Sequence, residues 1–369
     1  MTPDRPAFGS FFLPGPVEVH PDVLAALSHP MIPHRGPVLQ AMLERMAAPL
    51  RRLFRTAHPV MIGTCSATGF MEAAVRAGVR RRVLVLVNGV FAERFAVIAE
   101  RCGKEVVRVR VPPGRAVEPD QLEALFDGPA VDAVALVHSE TSTGALSDLE
   151  GLARVVRRRP DVLLLVDAVT SLAALPVETD AWGIDFVFTG SQKALALPPG
   201  LALGVASPRL LERARALADR GFYLDLVELH AAAVEHRPTQ TPALSLYFAL
   251  ERQLERIEAA GGVEPRWERH RAMLALMEAW AADRSDVRIM APPGRRSWSV
   301  TALELAPGLP SDAVVARLAA AGWTVGTGLE ELRDTVIRVG HMGDLAPAHL
   351  EALLEALGAA LSGSPVPTP

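Results

Sequence analysis

The sequence predicts an α/β protein: a large domain with a mostly parallel sheet sandwiched by helices, followed by a smaller C-terminal α+β domain. Three observations predict it. Short continuous apolar runs, VLVLV (Val83–Val87), VDAVALV (Val131–Val137) and VLLLV (Val162–Val166), alternate with helical patterns through the first two-thirds of the chain. Strands covered on both faces read this way. The pattern then changes to long helices followed by shorter strands, and 369 residues, half of them hydrophobic, suffice for two cores.

Taken in order, the elements begin with MTPDRPAFGSFFLPGP, which Pro and Gly interrupt. Residues 1–14 are predicted as an N-terminal arm, and the stretch lacks the charged-then-apolar layout of a signal peptide. A large domain is expected over 15–260. In it GTCSATGFMEAAVRAG (Gly63–Gly78) leads small polar residues into a helical pattern, and VLVLV precedes a helix through Glu100. VVRVRV (Val106–Val111) is a strand, with a helix near Pro119–Phe126 behind it. VDAVALV precedes a helix around Leu149–Arg158, and VLLLV, FVFT (Phe186–Thr189) and LALGVA (Leu201–Ala206) complete the strands. From Leu244 to about Ala281 the chain reads as long helices broken at Gly261–Gly262. A small domain over 261–369 follows, with strands at Val287–Met290, Val300–Leu305, Trp323–Val325 and Val336–Val339. Helices are expected at Ser311–Ala321 and Pro347–Leu361, and the tail from about 362, SGSPVPTP, is expected to be disordered.

Composition excludes several function classes. The formal net charge is −4, with no basic tract, which argues against nucleic acid as a partner. No apolar run reaches the roughly 18 residues of a membrane helix. Two cysteines are too few for a disulfide framework, and the ten histidines form no metal-binding pair. The expectation is a cytoplasmic protein with neither metal nor membrane.

The basic residues carry the first chemical signal. Of 38 Lys plus Arg, only Lys104 and Lys193 are lysine. Arginine supplies charge but is no practical nucleophile, whereas a desolvated lysine can attack a carbonyl and form a Schiff base. Lys104 lies in a polar stretch, RCGKEVV, as an ordinary surface lysine would. Lys193, in TGSQKALALPPG (Thr189–Gly200), is surrounded by apolar residues. Asp167 directly follows VLLLV, at a strand end where ligands of parallel sheets sit. A carboxylate there is costly without a partner. It reads either as a turn cap or as the partner of a buried cation. A lysine that forms an imine and an aspartate that keeps a pyridinium nitrogen protonated are what pyridoxal phosphate chemistry requires. Ser66, Ala67, Thr68 and Gly69, before a helix, suit a phosphate, and equally a plain capped helix. Phe91, just after VLVLV, can stack on a flat ring or be core. HSETSTG (His138–Gly144) offers hydroxyls to a site, or an ordinary turn. All of these fall at strand ends of one sheet.

With these residues in view, the chain resembles the class V aminotransferases of pyridoxal-phosphate fold type I, within them the alanine–glyoxylate/serine–pyruvate group. The resemblance runs from LPGP at Leu13 to RVGHMG at Arg338. Its most specific stretch is VDAVTSLAALPVETDAWGIDFVFTGSQKALALPPG (Val166–Gly200), which joins the aspartate and the lysine in the family's order. The resemblance implies transfer of an amino group from alanine or serine to glyoxylate or pyruvate in two half-reactions. It implies that Lys193 holds pyridoxal 5′-phosphate and moves the proton, and that Asp167 pairs with the ring nitrogen. Phe91 and Val169 would cover the ring faces, and Thr141 would bond near the ring hydroxyl. Ser66, Ala67, Thr68 and Gln192 would hold the phosphate. A homodimer is implied, in which Thr239, Gln240 and Thr241 close the neighbouring subunit's site. Arg338 would fork onto the substrate carboxylate, with Gly15, His34 and Arg35 lining the mouth. Ala67 stands where many members have Gly, and Arg237 where some have Tyr. Alternatives on the same fold are a phosphoserine or 2-aminoethylphosphonate aminotransferase, a lyase or desulfurase, and a non-catalytic pyridoxal-phosphate-binding protein. Both cysteines lie early in the chain, which disfavours a desulfurase.

Overall fold

The computed structural model describes residues 8–369, so the first seven positions of the expected arm lie outside the described residues. The strands, in chain order, are β1 (Phe11–Phe12), β2 (Met61–Gly63), β3 (Arg82–Val87), β4 (Glu105–Arg110), β5 (Ala133–Val137), β6 (Ser139–Glu140) and β7 (Ala145–Leu146), then β8 (Leu163–Asp167), β9 (Phe186–Gly190), β10 (Ala202–Ala206), β11 (Val287–Ile289), β12 (Val300–Leu305), β13 (Thr324–Thr327) and β14 (Val336–Gly340). Seven of them form one sheet in the order β2-β10-β9-β8-β5-β3-β4. Only β10 runs against its neighbours. This is the mostly parallel sheet that the apolar runs predict.

Those runs are continuous because both faces are covered. Leu84, Leu86, Val134, Leu136, Leu164 and Val166 enter one core. Val83, Val85, Ala133, Ala135, Leu163 and Leu165 enter the other. Successive side chains of a strand point to opposite faces, so a strand between two cores has no polar face to show. Each fully buried Val or Leu contributes roughly 1.5–3 kcal/mol.

The chain steps from β3 outward to β4, then returns to place β5 on the other side of β3. This reversal leaves a crevice at the carboxyl ends of β3 and β5, with β8 beside it.

A second sheet has the order β1-β13-β14-β12-β11 and packs on helices Glu264–Ala282, Ser311–Ala320 and Pro347–Ser362 through a third core. Its edge strand β1 comes from the start of the chain and pairs in parallel with β13, Phe11 opposite Thr324. At the other terminus, where disorder is expected from about 362, Val366 packs against this core and the Trp323 indole N–H donates to the Pro367 carbonyl (2.8 Å). Among the described residues no helix is long and apolar enough to cross a membrane.

Candidate active site

Lys193 sits in the turn after β9. The Ser191 N–H donates to the Leu201 carbonyl (2.9 Å), the Leu197 N–H to the Ser191 carbonyl (3.1 Å), and the Ala196 N–H to the Lys193 carbonyl (2.8 Å). Ala194, Leu195, Ala196 and Leu197 are all core, so the apolar run around the lysine is the turn's anchor. The lysine itself is 6% exposed and opens into a cavity lined by Ser66, Ala67, Thr68, Phe91, Asp167 and Gln192. Its Nζ donates to the Pro14 carbonyl and lies 5.9 Å from the Phe91 ring centre. Burial pushes the amine down to about 8, and the Arg338 charge acts in the same direction.

Asp167 closes β8 and is 4% exposed. Its carboxylate accepts one N–H, from Val169 (2.8 Å). Burial pushes the carboxyl up to about 7; the Val169 N–H opposes this, and the Glu140 charge adds to it. Asp167 and Lys193 line the same cavity, yet no ion pair joins them among the described residues. A buried carboxylate and a buried amine therefore share one space without neutralising each other. Such a space suits a molecule with a carbonyl for the amine and a protonated nitrogen for the carboxylate.

The helix Ala67–Gly78 aims its start at that space. Ser66 is its N-cap but makes no side-chain cap hydrogen bond. Its hydroxyl and the first N–H groups of the helix are thus left for an anion. Gln192 lines the same cavity, as do Thr141 and Val169. Phe91 stands in the first turn of the helix Val90–Arg101. Glu140 holds that turn by accepting the N–H groups of Phe91 and Ala92 (3.1 Å each), together with the N–H (3.0 Å) and hydroxyl (2.6 Å) of Ser142. Thr141 is buried, with its hydroxyl 2.7 Å from that of Thr170. The unengaged Ser66 hydroxyl and the singly bonded Asp167 carboxylate fit a flat, phosphate-bearing pyridine aldehyde.

Arg338 lies in β14 opposite Ala302 of β12 and Gly326 of β13. Its Nε donates to the Thr327 carbonyl (2.8 Å) and its Nη1 to the Thr141 carbonyl (3.4 Å). That second bond bridges the small sheet to the strand end that carries the cavity. Gly15 (φ +101°) touches the lysine so closely that a Cβ there would stand 2.5 Å from Lys193 Cδ.

Besides Gly15 and Arg338, five expected site residues are not among those that line this cavity. His34 and Arg35 are exposed, and Arg35 lines a groove with Arg237, Pro238 and Thr239. Thr239, Gln240 and Thr241 line another with Thr64, Tyr223 and Leu224. Conversely, Met71, Arg94 and Thr170 line the cavity without having been singled out in the sequence. Arg94, one helical turn after Phe91, lays its guanidinium 4.8 Å over that ring. The i, i+3 spacing from Phe91 was the available signal.

Residues 57–332 match the family described as aminotransferase class-V. An aspartate aminotransferase of subgroup IV from Thermus thermophilus is 34% identical, with a TM-score of 0.87 over 96% of this chain and 99% of that one. An alanine–glyoxylate aminotransferase from Nostoc sp. is 31% identical, with a TM-score of 0.90 over 95% of each chain. The L-aspartate–glyoxylate aminotransferase of Paracoccus denitrificans is 30% identical over 94% of this chain and 89% of its own length.

Proposed function

The chain belongs to the class V aminotransferases, enzymes that depend on pyridoxal phosphate, and from that premise we propose that it moves the amino group of a small amino acid to glyoxylate or pyruvate. The observation that carries this reading is the shared cavity of Lys193 and Asp167, both buried and joined by no ion pair. When bound, the cofactor supplies an electron sink that makes the substrate Cα proton removable. Lys193, whose burial favours the neutral amine, would hold the cofactor at its aldehyde carbon with loss of water, and its amine, once freed, would take up and return the substrate Cα proton. Asp167 would keep the ring nitrogen protonated, Phe91 and Val169 would cover the ring, Thr141 would hydrogen-bond near its hydroxyl, and Ser66, Ala67, Thr68 and Gln192 would hold the phosphate. Arg338, fixed by two carbonyls, offers the rest of its planar fork to the substrate carboxylate.

The site is completed by a second copy of the chain. Thr239, Gln240 and Thr241 are offered to that copy's phosphate, with His34 and Arg35 at its mouth. Exposed apolar side chains flank these residues and support the pairing: Phe222 is 88% exposed, and Met31, Val38 and Val234 are more than half exposed. Two unpaired cysteines favour the cytoplasm.

The test is an absorption spectrum of the purified protein with pyridoxal phosphate, before and after L-alanine, L-serine, L-aspartate and L-phosphoserine added singly. Loss of the visible band with alanine or serine, and its return with glyoxylate or pyruvate, is the expected result, and Lys193→Ala abolishes both. Conversion by phosphoserine or aspartate alone would replace the proposed donor. A protein that takes up no cofactor would remove the reading.

A further inference from the structure

Behind the Lys193 turn lies a buried polar network that the proposed chemistry leaves unused. Arg266, in the first turn of the helix Glu264–Ala282, is 5% exposed. Its Nε and Nη2 donate to the Ala194 carbonyl (3.0 and 2.6 Å), while its Nη1 donates to Asp344 Oδ1 (2.6 Å). Gln253, fully buried on the helix Leu244–Ala259, donates from one nitrogen to the Leu195 carbonyl (2.8 Å) and to Asp344 (3.2 Å to Oδ2). Asp344 belongs to the loop His341–Asp344, which directly follows the strand carrying Arg338. The same loop is held twice more. The Gly343 N–H donates to His270 Nε2 (3.1 Å), and the Arg269 guanidinium donates to the Gly343 carbonyl (2.7 Å). Because His270 Nδ1 faces the Arg266 carbonyl (2.6 Å), the ring is a neutral Nδ1–H tautomer, a donor on one side and an acceptor on the other.

Three features show why this network bears on the lysine. Ala196 has φ +54°, a left-handed conformation that an L-residue resists, so the turn does not hold its shape unaided. The two carbonyls pinned from outside, those of Ala194 and Leu195, are the first two after Lys193. Gly343 (φ +83°) approaches so closely that a Cβ there would stand 3.1 Å from Ala196 Cβ. The turn of the lysine and the loop behind Arg338 are thus joined by one arginine and one glutamine acting on both.

We propose that Arg266, with Gln253 and Asp344, is a positioning device that sets the Lys193 amine against the Arg338 guanidinium, so that a substrate held by its carboxylate presents its Cα proton to the amine. The proposal rests on the reading of Lys193 as the cofactor lysine. Arg266 suits the task because its planar fork reaches a carbonyl and a carboxylate at once, which the point charge of a lysine does not. None of the three touches the reacting atoms.

The test uses Arg266→Lys, Asp344→Asn and the paired apolar replacement Arg266→Met with Asp344→Leu. The pair avoids leaving one charge buried alone and so guards against mere unfolding. Three quantities are read: the melting temperature; kcat and KM for the amino donor; and the pH dependence of acetylation by acetic anhydride at Lys193 in cofactor-free protein, by peptide mass. Lys104, the other lysine, serves as internal reference. The charged groups that face Lys193, namely Arg338, Asp167, Glu140 and Arg94, are left intact in every variant. The expected result is a variant that melts within a few degrees of the wild type and keeps its KM, while kcat falls about 10- to 100-fold. The Lys193 labelling midpoint moves and that of Lys104 does not. Unchanged kcat and unchanged labelling would overturn the proposal, as would a loss of kcat that only follows the folded fraction with the Lys193 midpoint fixed. If the wild type binds no cofactor, the proposed function fails instead, and the labelling experiment still reads the positioning on its own.

Discussion

At Asp167 and Lys193 burial works against the charged form of each residue, with opposite consequences for stability. In the cofactor-free chain Asp167 titrates near 7 against an ordinary 3.8, so between those values the folded chain holds a proton that the unfolded chain has released. Its contribution to stability therefore falls as pH rises through that window. Lys193 titrates near 8 against 10.5, so in that higher window the unfolded chain holds the extra proton and stability rises with pH. Asp167→Asn removes the first effect and, because the Asp167 charge favours the protonated Lys193 amine, pushes that amine further down as well. We expect the cofactor-free variant to gain on the wild type between pH 4 and 7, reaching about 1–3 kcal/mol, as read by thermal melts across that range. A difference that stays flat with pH would contradict the burial of an unpaired carboxylate. The same variant should bind pyridoxal phosphate yet turn over at least about 100-fold more slowly, because an amide does not keep the ring nitrogen protonated.

The elements place the cavity through close backbone approaches. Gly89 starts the helix that carries Phe91, and a Cβ there would lie 2.6 Å from Glu140 Cδ. Gly89→Ala should push that turn away from Glu140 and weaken cofactor affinity about tenfold, roughly 1.4 kcal/mol, measured by titrating the visible band. An unchanged affinity would show that Phe91 is not held by this turn. Most of this architecture was legible in the sequence. Strands such as β3, β5 and β8 announce themselves because two covered faces force their buried residues to be apolar, and Asp167 stands out as the residue that breaks the run of β8. Other parts carried no local signal. β1 and β2 are two and three residues long, too short to show a period. The helix Pro37–Phe54 contains Pro49, β6 lies within a stretch that reads as a polar turn, and β7 just after it is two residues long. Arg94 looks like any solvated helix charge until Phe91 is seen beneath it. The Arg266–Asp344 pair joins residues 78 positions apart, which no spacing rule connects.

For the whole molecule, the division of the expected site residues is the informative fact. Those that line the Lys193 cavity come from strand ends of the large sheet, whereas Arg35, Thr239, Gln240 and Thr241 border surface grooves beside exposed apolar side chains. Mixing Lys193→Ala with Gln240→Ala, after unfolding and refolding together, should restore activity that neither variant shows alone. Random reassortment gives about a quarter of the wild-type activity, since half the pairs hold one intact site. A mixture no better than its components would mean that each chain completes its own site. The pairing of Phe11 with Thr324 reaches further still, because it sets a timetable for synthesis. The segment through Pro14 and Gly15, which crosses the lysine, is made more than three hundred residues before the edge it must join. At about 5–20 residues per second that wait lasts tens of seconds. A chain cut short before β13 therefore carries its lysine and its aspartate but cannot cover them, and a broken message yields a protein without a working site.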